Sequence, residues 1–170
     1  MKKILIAALS LLCSAQAMRY GENLAFLKPT DMCVGVPMIV VNDKFDSTSG
    51  LPEELQRVLL NESTRLGLNI ADTTMENCVG FVYLTVNAQK TTAGFIYSAA
   101  IEVIIQQANM NQVNSPYSRT SPSAGKVMYS IIWDNRKLGA YDREEMLRPL
   151  LIGDGLTLFA DFAEDWKAYH

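Results

Sequence analysis

Between residues 95 and 105, Phe95, Tyr97, Ala99, Ile101, Val103 and Ile105 stand at every second position, with Ser98, Glu102 and, one step beyond, Gln106 on the alternate ones. A period of two puts those six side chains on one face of an extended strand. Such a strand needs a sheet that buries one face and leaves the other to something more polar. The chain must therefore contain neighbouring strands and a layer to cover the apolar side.

Three further stretches supply strand partners. Val36, Met38, Ile39, Val40 and Val41 make a compact apolar run that ends at Asn42-Asp43, and Pro37 confines it to a sheet edge or delays the ladder until after it. Residues 79–86 are mostly β-branched and aromatic, the composition of a strand covered on both faces. Residues 126–133 alternate again, through Val127, Tyr129, Ile131 and Trp133. The link over 87–93 is short enough for a hairpin, and Asp134 reads as a turn residue at the end of its strand. Residues 18–33 read as an irregular lead-in.

Two helices provide the covering layer. After the turn cluster 47–50, Pro52-Glu53-Glu54 suits a helical first turn, and Leu51, Leu55, Val58, Leu59 and Leu66 recur at helical spacing before Gly67 closes the helix in the left-handed region. Near the C-terminus, Asp142 and Glu145 have the spacing of a capping box. Leu147, Leu151, Leu158, Phe162 and Trp166 then form one apolar stripe. Pro149 and Gly153-Asp154-Gly155 interrupt it, so a kink or two shorter helices are expected. The order strand, helix, three strands, helix predicts an α+β two-layer sandwich. In it a mainly antiparallel four-stranded sheet carries both helices on one face.

Lys2 and Lys3, an apolar run over 4–12 and the small-x-small pattern of Ala15-Gln16-Ala17 read as a secretory signal peptide over residues 1–17, leaving a single domain over 18–170. The apolar run is too short to cross a bilayer, and no later segment reads as a membrane span. The whole chain carries a formal charge of −3, and removal of two lysines with the leader makes the remainder about −5. A mildly acidic surface with scattered cations is a poor match for nucleic acid. An exported protein meets oxidising conditions, and Cys33 and Cys78 are then an even pair expected to form a disulfide. The location implied is the periplasm or the medium.

Chemistry is constrained by what the sequence does not contain. Its only histidine is His170, expected to fray at the terminus, which leaves no Ser-His-Asp, Cys-His or histidine-bearing zinc site. No glycine-rich phosphate loop follows a strand, and no cofactor or metal is expected. Asp161, Glu164 and Asp165, with Asp154 upstream, could serve a carboxylate-only hydrolase, but their alternation with Phe162 and Trp166 reads first as a solvated helix face. Tyr97, Tyr129 and Trp133 read as core, and Asn61-Glu62-Ser63 as a chance match to a glycosylation sequon.

Binding surfaces remain. Residues 108–125 form a long polar connection carrying Tyr117 and Arg119, side-chain types enriched in recognition hot spots. The second face of the middle strand, with Ile96, Ser98, Ala100, Glu102 and Ile104, lies open if the helices cover only the first. That face invites a partner, a second subunit or the segment 18–33. A small-ligand site between the sheet and the last helix is the alternative, because Gly153 and Gly155 would permit close approach.

The alternating 97–106 stretch, Ser130-Ile131-Ile132-Trp133, Gly139, Phe162 and Asp165-Trp166 resemble small exported bacterial α+β proteins. Their strand–helix–meander–helix plan is like that of envelope-assembly lipoproteins, such as the lipopolysaccharide-assembly and curli-secretion lipoproteins. The likeness spans roughly residues 36–166. It implies a non-enzymatic assembly or accessory component of the cell envelope, with another envelope protein or a second copy as partner. Leu12 before Cys13 departs from the small residue a lipidation signal requires, so the implied lipid anchor does not carry over.

Overall fold

The structure is a computed structural model that describes residues 21–46, 48–68, 70–72, 78–107 and 128–170. The leader 1–17 and the loop residues Tyr117 and Arg119 lie outside the described residues.

The sheet has seven strands, β1 (Met32–Val34), β2 (Met38–Val41), β3 (Lys44–Phe45), β4 (Ala71–Asp72), β5 (Gly80–Thr91), β6 (Gly94–Gln107) and β7 (Met128–Tyr141). Among the described residues two α-helices accompany it, α1 (Leu51–Arg65) and α2 (Leu147–Ala168). The expected α+β fold with β-α-β-β-β-α order is present in outline, but the sheet is mixed and has more strands than four. β5, β6 and β7 form the antiparallel meander. β1 and β2 both run parallel to β5, along consecutive halves of it. Gly35-Val36-Pro37 separates those halves: proline has no N–H to give the ladder, so pairing resumes at Met38. The run of strand thus begins at Met32, inside the stretch read as irregular lead-in. β4 pairs with β1, and β3 returns antiparallel to β2 through Asn42 and Asp43, whose φ of 50° and 62° make the left-handed two-residue turn that suits a hairpin.

The meander strands are longer than expected. β5 continues through Asn87 to Thr91, leaving a tight turn at Thr92-Ala93, and β7 continues past Asp134 to Tyr141. Both extensions carry polar residues, which hid them from a hydrophobic pattern, but their ladders are complete against β6.

Helix α1 ends as expected. Gly67 has φ of 74° and donates to Thr64 O at 3.0 Å, while Leu68 N donates to Ser63 O at 2.9 Å, a Schellman closure. The expected capping box at Asp142 and Glu145 does not form. A 3₁₀ turn over Glu144–Met146 leads directly into α2, and no side chain caps it. Nor is α2 divided: it runs unbroken from Leu147 to Ala168. Pro149 is the third helical residue, where the N–H it lacks would have no partner inside the helix. The two glycines cost about 1 kcal/mol each, and packing of a long apolar stripe offsets that.

The core lies between the helices and one sheet face. Val82, Leu84, Val86 and Ala88 of β5, Tyr97, Ala99, Ile101 and Val103 of β6, and Trp133 of β7 meet Leu55 and Leu59 of α1 and Leu151, Leu158, Phe159 and Phe162 of α2. Leu24 and Leu27 join the same core, and Asn23 Nδ2 donates to Ile132 O at 2.9 Å. The segment before β1 therefore closes the end of the sandwich and part of the β7 edge. Cys33 and Cys78 are bridged, with Cα atoms 5.8 Å apart, beside Phe81 and Tyr83 on the other sheet face.

Candidate functional site

The strands pair so that five rows of side chains cross the helix-free face. Phe81, Ile104 and Ile131 form the first row, and Tyr83, Glu102 and Asp134 the second. Thr85, Ala100 and Arg136 follow, then Asn87, Ser98 and Leu138, then Gln89, Ile96 and Ala140. Ile96, Ser98, Glu102 and Ile104 thus share this face. A register shift between Val103 and Ile104 sets Ile131 opposite Ile104 and leaves Ile132 as the extra residue of a bulge.

Among the described residues no helix covers these rows. Leu138 is 71% exposed, Ile131 57% and Ile96 54%. Met38 of β2, which pairs with Thr85, is half exposed too. Large apolar side chains grouped on one surface mark contact sites more often than apolar residues scattered singly. A shallow depression of about 430 Å³ lies between Asn87, Gln89, Ile96, Ser98, Leu138 and Gly139.

Charge on this face gathers at one end. The Glu102 carboxylate lies 3.9 Å from Arg136 and opposite Asp134 in the register. Burial among these neighbours pushes the Glu102 carboxyl above its ordinary range, and Asp134 adds to that while Arg136 opposes it. Asn23, Ile131 and Trp133 join this cluster around a second depression of about 340 Å³.

The helix-facing carboxylates are engaged in packing. Trp133 Nε1 donates to Asp165 Oδ2 at 2.8 Å, and Asn135 Nδ2 donates to Asp161 Oδ2 at 2.7 Å. Asp154 accepts from Tyr97 Oη at 2.6 Å and from Lys137 Nζ at 3.0 Å. Alternate residues of β7 thereby bind one edge of α2, and Asp161 and Asp165 are not the solvated face expected of them. A signal for this existed: at about 100° per residue, Asp154, Asp161 and Asp165 fall within roughly 40° of one another on the flank of the apolar stripe. Burial, then the bond to Asp154, pushes the Tyr97 phenol well above its ordinary value of 10.0.

The space between sheet and α2 is occupied by protein. Leu84, Ile101, Trp133, Leu158, Phe159 and Phe162 are buried there, and a Cβ on Gly155 would already touch Leu84 at 3.4 Å. Tyr97 and Trp133 are core residues, as expected. In the sequon, Ser63 is buried and its hydroxyl accepts the Ile70 N–H at 3.0 Å, an anchoring role its helical pattern did not reveal.

His170, expected to fray, makes contacts with Trp166 and Leu27. Its ring stacks on Trp166 at 4.0 Å between centroids, with Nδ1 2.9 Å from Trp166 O and Nε2 2.7 Å from Leu27 O. Among the described residues no group of three or more His, Cys, Asp or Glu could hold a metal ion, and no helix is long and apolar enough to cross a membrane.

No protein-family profile matches the chain, and comparison with curated proteins finds no relative. Among solved structures, the PelC dodecamer from Paraburkholderia phytofirmans is similar in two crystal forms, one of them a point variant. Each is 14% identical and covers 82% of this chain; the alignments span 88% and 89% of those chains, with TM-scores of 0.39 and 0.38. A likeness so remote carries no argument about function.

Proposed function

We propose that this chain is an exported, non-enzymatic interaction protein of the cell envelope that meets its partner through the helix-free face of its sheet. The observation that carries this reading is the exposure of Leu138, Ile131 and Ile96 together on that face. Export is supported by the Cys33–Cys78 bridge and by the leader-like sequence over 1–17. The absence of a catalytic role is supported by the engagement of Asp154, Asp161 and Asp165 with β7 and Tyr97.

Native capture from envelope extract, with mass spectrometry of what is retained, tests the reading. Saturable recovery of an envelope protein, lost in a combined Ile96→Lys and Ile131→Lys variant, supports it. Recovery that persists in that variant but disappears when Tyr117 and Arg119 become alanine would move the surface to the 108–125 loop. A hydrolase activity abolished by Asp161→Asn or Glu164→Gln would replace the reading with an enzymatic one.

A further inference from the structure

We propose that two copies of this chain pair antiparallel through the outer edge of β7, in one register, so that their sheets join across a two-fold axis at Gly139. This edge is a different surface from the helix-free face, and the pairing does not depend on how that face is read.

β7 is the long edge of the sheet. Among the described residues it pairs only with β6, whereas β3 and β4 at the opposite side have two residues each. Arg136 N donates to Asn135 Oδ1 at 2.9 Å, so that amide points away from β6. Alternation then places the amides and carbonyls of Leu138 and Ala140 in the same outward row. No hydrogen bond among the described residues reaches them. Such a row is a template for another strand. Asn23, bonded to Ile132 O at 2.9 Å, occupies only an earlier part of the edge. The usual devices that keep an edge strand apart are missing beyond it. Lys137 is drawn to Asp154 on the helix side at 3.0 Å, and neither a proline nor a bulge falls between Asp134 and Tyr141.

Charge and shape select a second copy in one register. With Gly139 opposite its own equivalent, Leu138 of each copy exchanges backbone hydrogen bonds with Ala140 of the other. Arg136 then stands opposite Asp142 of the other copy, twice by symmetry, and these side chains are 45% and 82% exposed. Gly139 falls at a non-hydrogen-bonded position, where Cα atoms approach to about 4.5 Å, and it brings no side chain to the axis. Slipping the pairing by two residues sets Asp134 against Asp142 in one direction and Leu138 against Asp142 in the other. With the axis normal to the sheet, both copies keep their helices on one side. Round α2 from Asp154 and Asp161, away from the core, lie Leu150, Thr157 and Gly153, within roughly 60° of one another and uncharged. Glu164 shares that flank but stands two turns beyond Thr157, away from the axis. The helices of the two copies therefore meet without like charges at the centre.

The test is sedimentation equilibrium of the purified, oxidised full chain over a concentration series. The expected result is a mass that doubles with concentration. Ala140→Pro removes an outward amide without taking a bond from the β6 ladder, and should weaken association roughly tenfold or more. Asp142→Arg sets two cations against each other and should weaken it as well, while Asp142→Arg combined with Arg136→Asp exchanges the charges and should restore it. That restoration reads the register itself, and it keeps the test decisive if the proline variant fails to fold. Ile131→Lys, on the helix-free face and outside the paired stretch, should leave association unchanged. A monomer at every concentration overturns the proposal, and so does a dimer indifferent to both Ala140→Pro and Asp142→Arg. A dimer weakened by Ile131→Lys alone also overturns it, and would move the contact to the helix-free face. Loss of envelope-protein capture through that face would leave the edge pairing standing.

Discussion

The indole of Trp133 donates to the carboxylate of Asp165 at 2.8 Å, joining β7 to the last turns of α2 beneath a fully buried ring. Tryptophan buries a large apolar body but retains one N–H that must be satisfied, and the acid supplies its acceptor. Asp165→Ala removes that acceptor and should cost about 1–3 kcal/mol. Asp165→Asn retains an acceptor oxygen and should cost less. Urea unfolding followed by far-ultraviolet circular dichroism measures both, and equal stability of Asp165→Ala and the parent would show that this bond contributes nothing.

The Cys33–Cys78 bridge closes a segment with a sequence separation of 45 and ties β1 to the start of β5. On the chain-entropy argument a loop of that size adds roughly 4 kcal/mol. Reduction, or replacement of both cysteines by alanine, should lower the urea midpoint by a corresponding amount with little change in slope. A midpoint insensitive to reductant would mean that the surrounding sheet already restrains both ends.

Tyr97 sets an alkaline limit. Its folded phenol titrates above its ordinary value of 10.0 because burial, and then Asp154, disfavour the phenolate. Tyr141 is raised as well, by burial and by Glu144. A group raised on folding contributes stability that is complete below its unfolded pKa and declines as pH rises through the folded one. Stability should therefore fall from about pH 10 upward, and Tyr97→Phe should flatten that decline. Melting temperatures across pH 8–12 for both proteins provide the measurement, and parallel curves would exclude Tyr97 as the source.

Gly67 isolates the cost of a backbone angle. Its φ is 74°, and no atom lies within 4 Å of where a Cβ would stand. Gly67→Ala therefore adds left-handed strain without a clash and should destabilise by about 1–2 kcal/mol. A larger loss would point to disruption of the closing bonds to Ser63 and Thr64. Thermal unfolding of the single variant decides between them.

Local pattern made much of this protein legible. The alternation of Phe95 to Ile105, the stripe from Leu147 to Trp166 and the left-handed closure at Gly67 each depend on neighbours close in sequence. The helix-free face was legible for the same reason, since Ile96, Ser98, Glu102 and Ile104 must oppose the buried set. Other features required partners distant in the chain. Whether Pro149 interrupts α2 depends on where the first turn begins, and the closeness of Gly155 to its neighbours depends on Leu59 and Leu84. The partners of Asp161 and Asp154 were hidden because β7 extends beyond Asp134 to bring Asn135 and Lys137 across from the helix. The two periodicities, the α+β class and the cysteine pair could be read from the chain alone, because each rests on local geometry or composition, whereas the short strands β1, β3 and β4 could not. Strand direction, the role of the carboxylates, the contacts of His170 and the depression beside Leu138 required the folded chain, because each depends on register between segments far apart in the sequence.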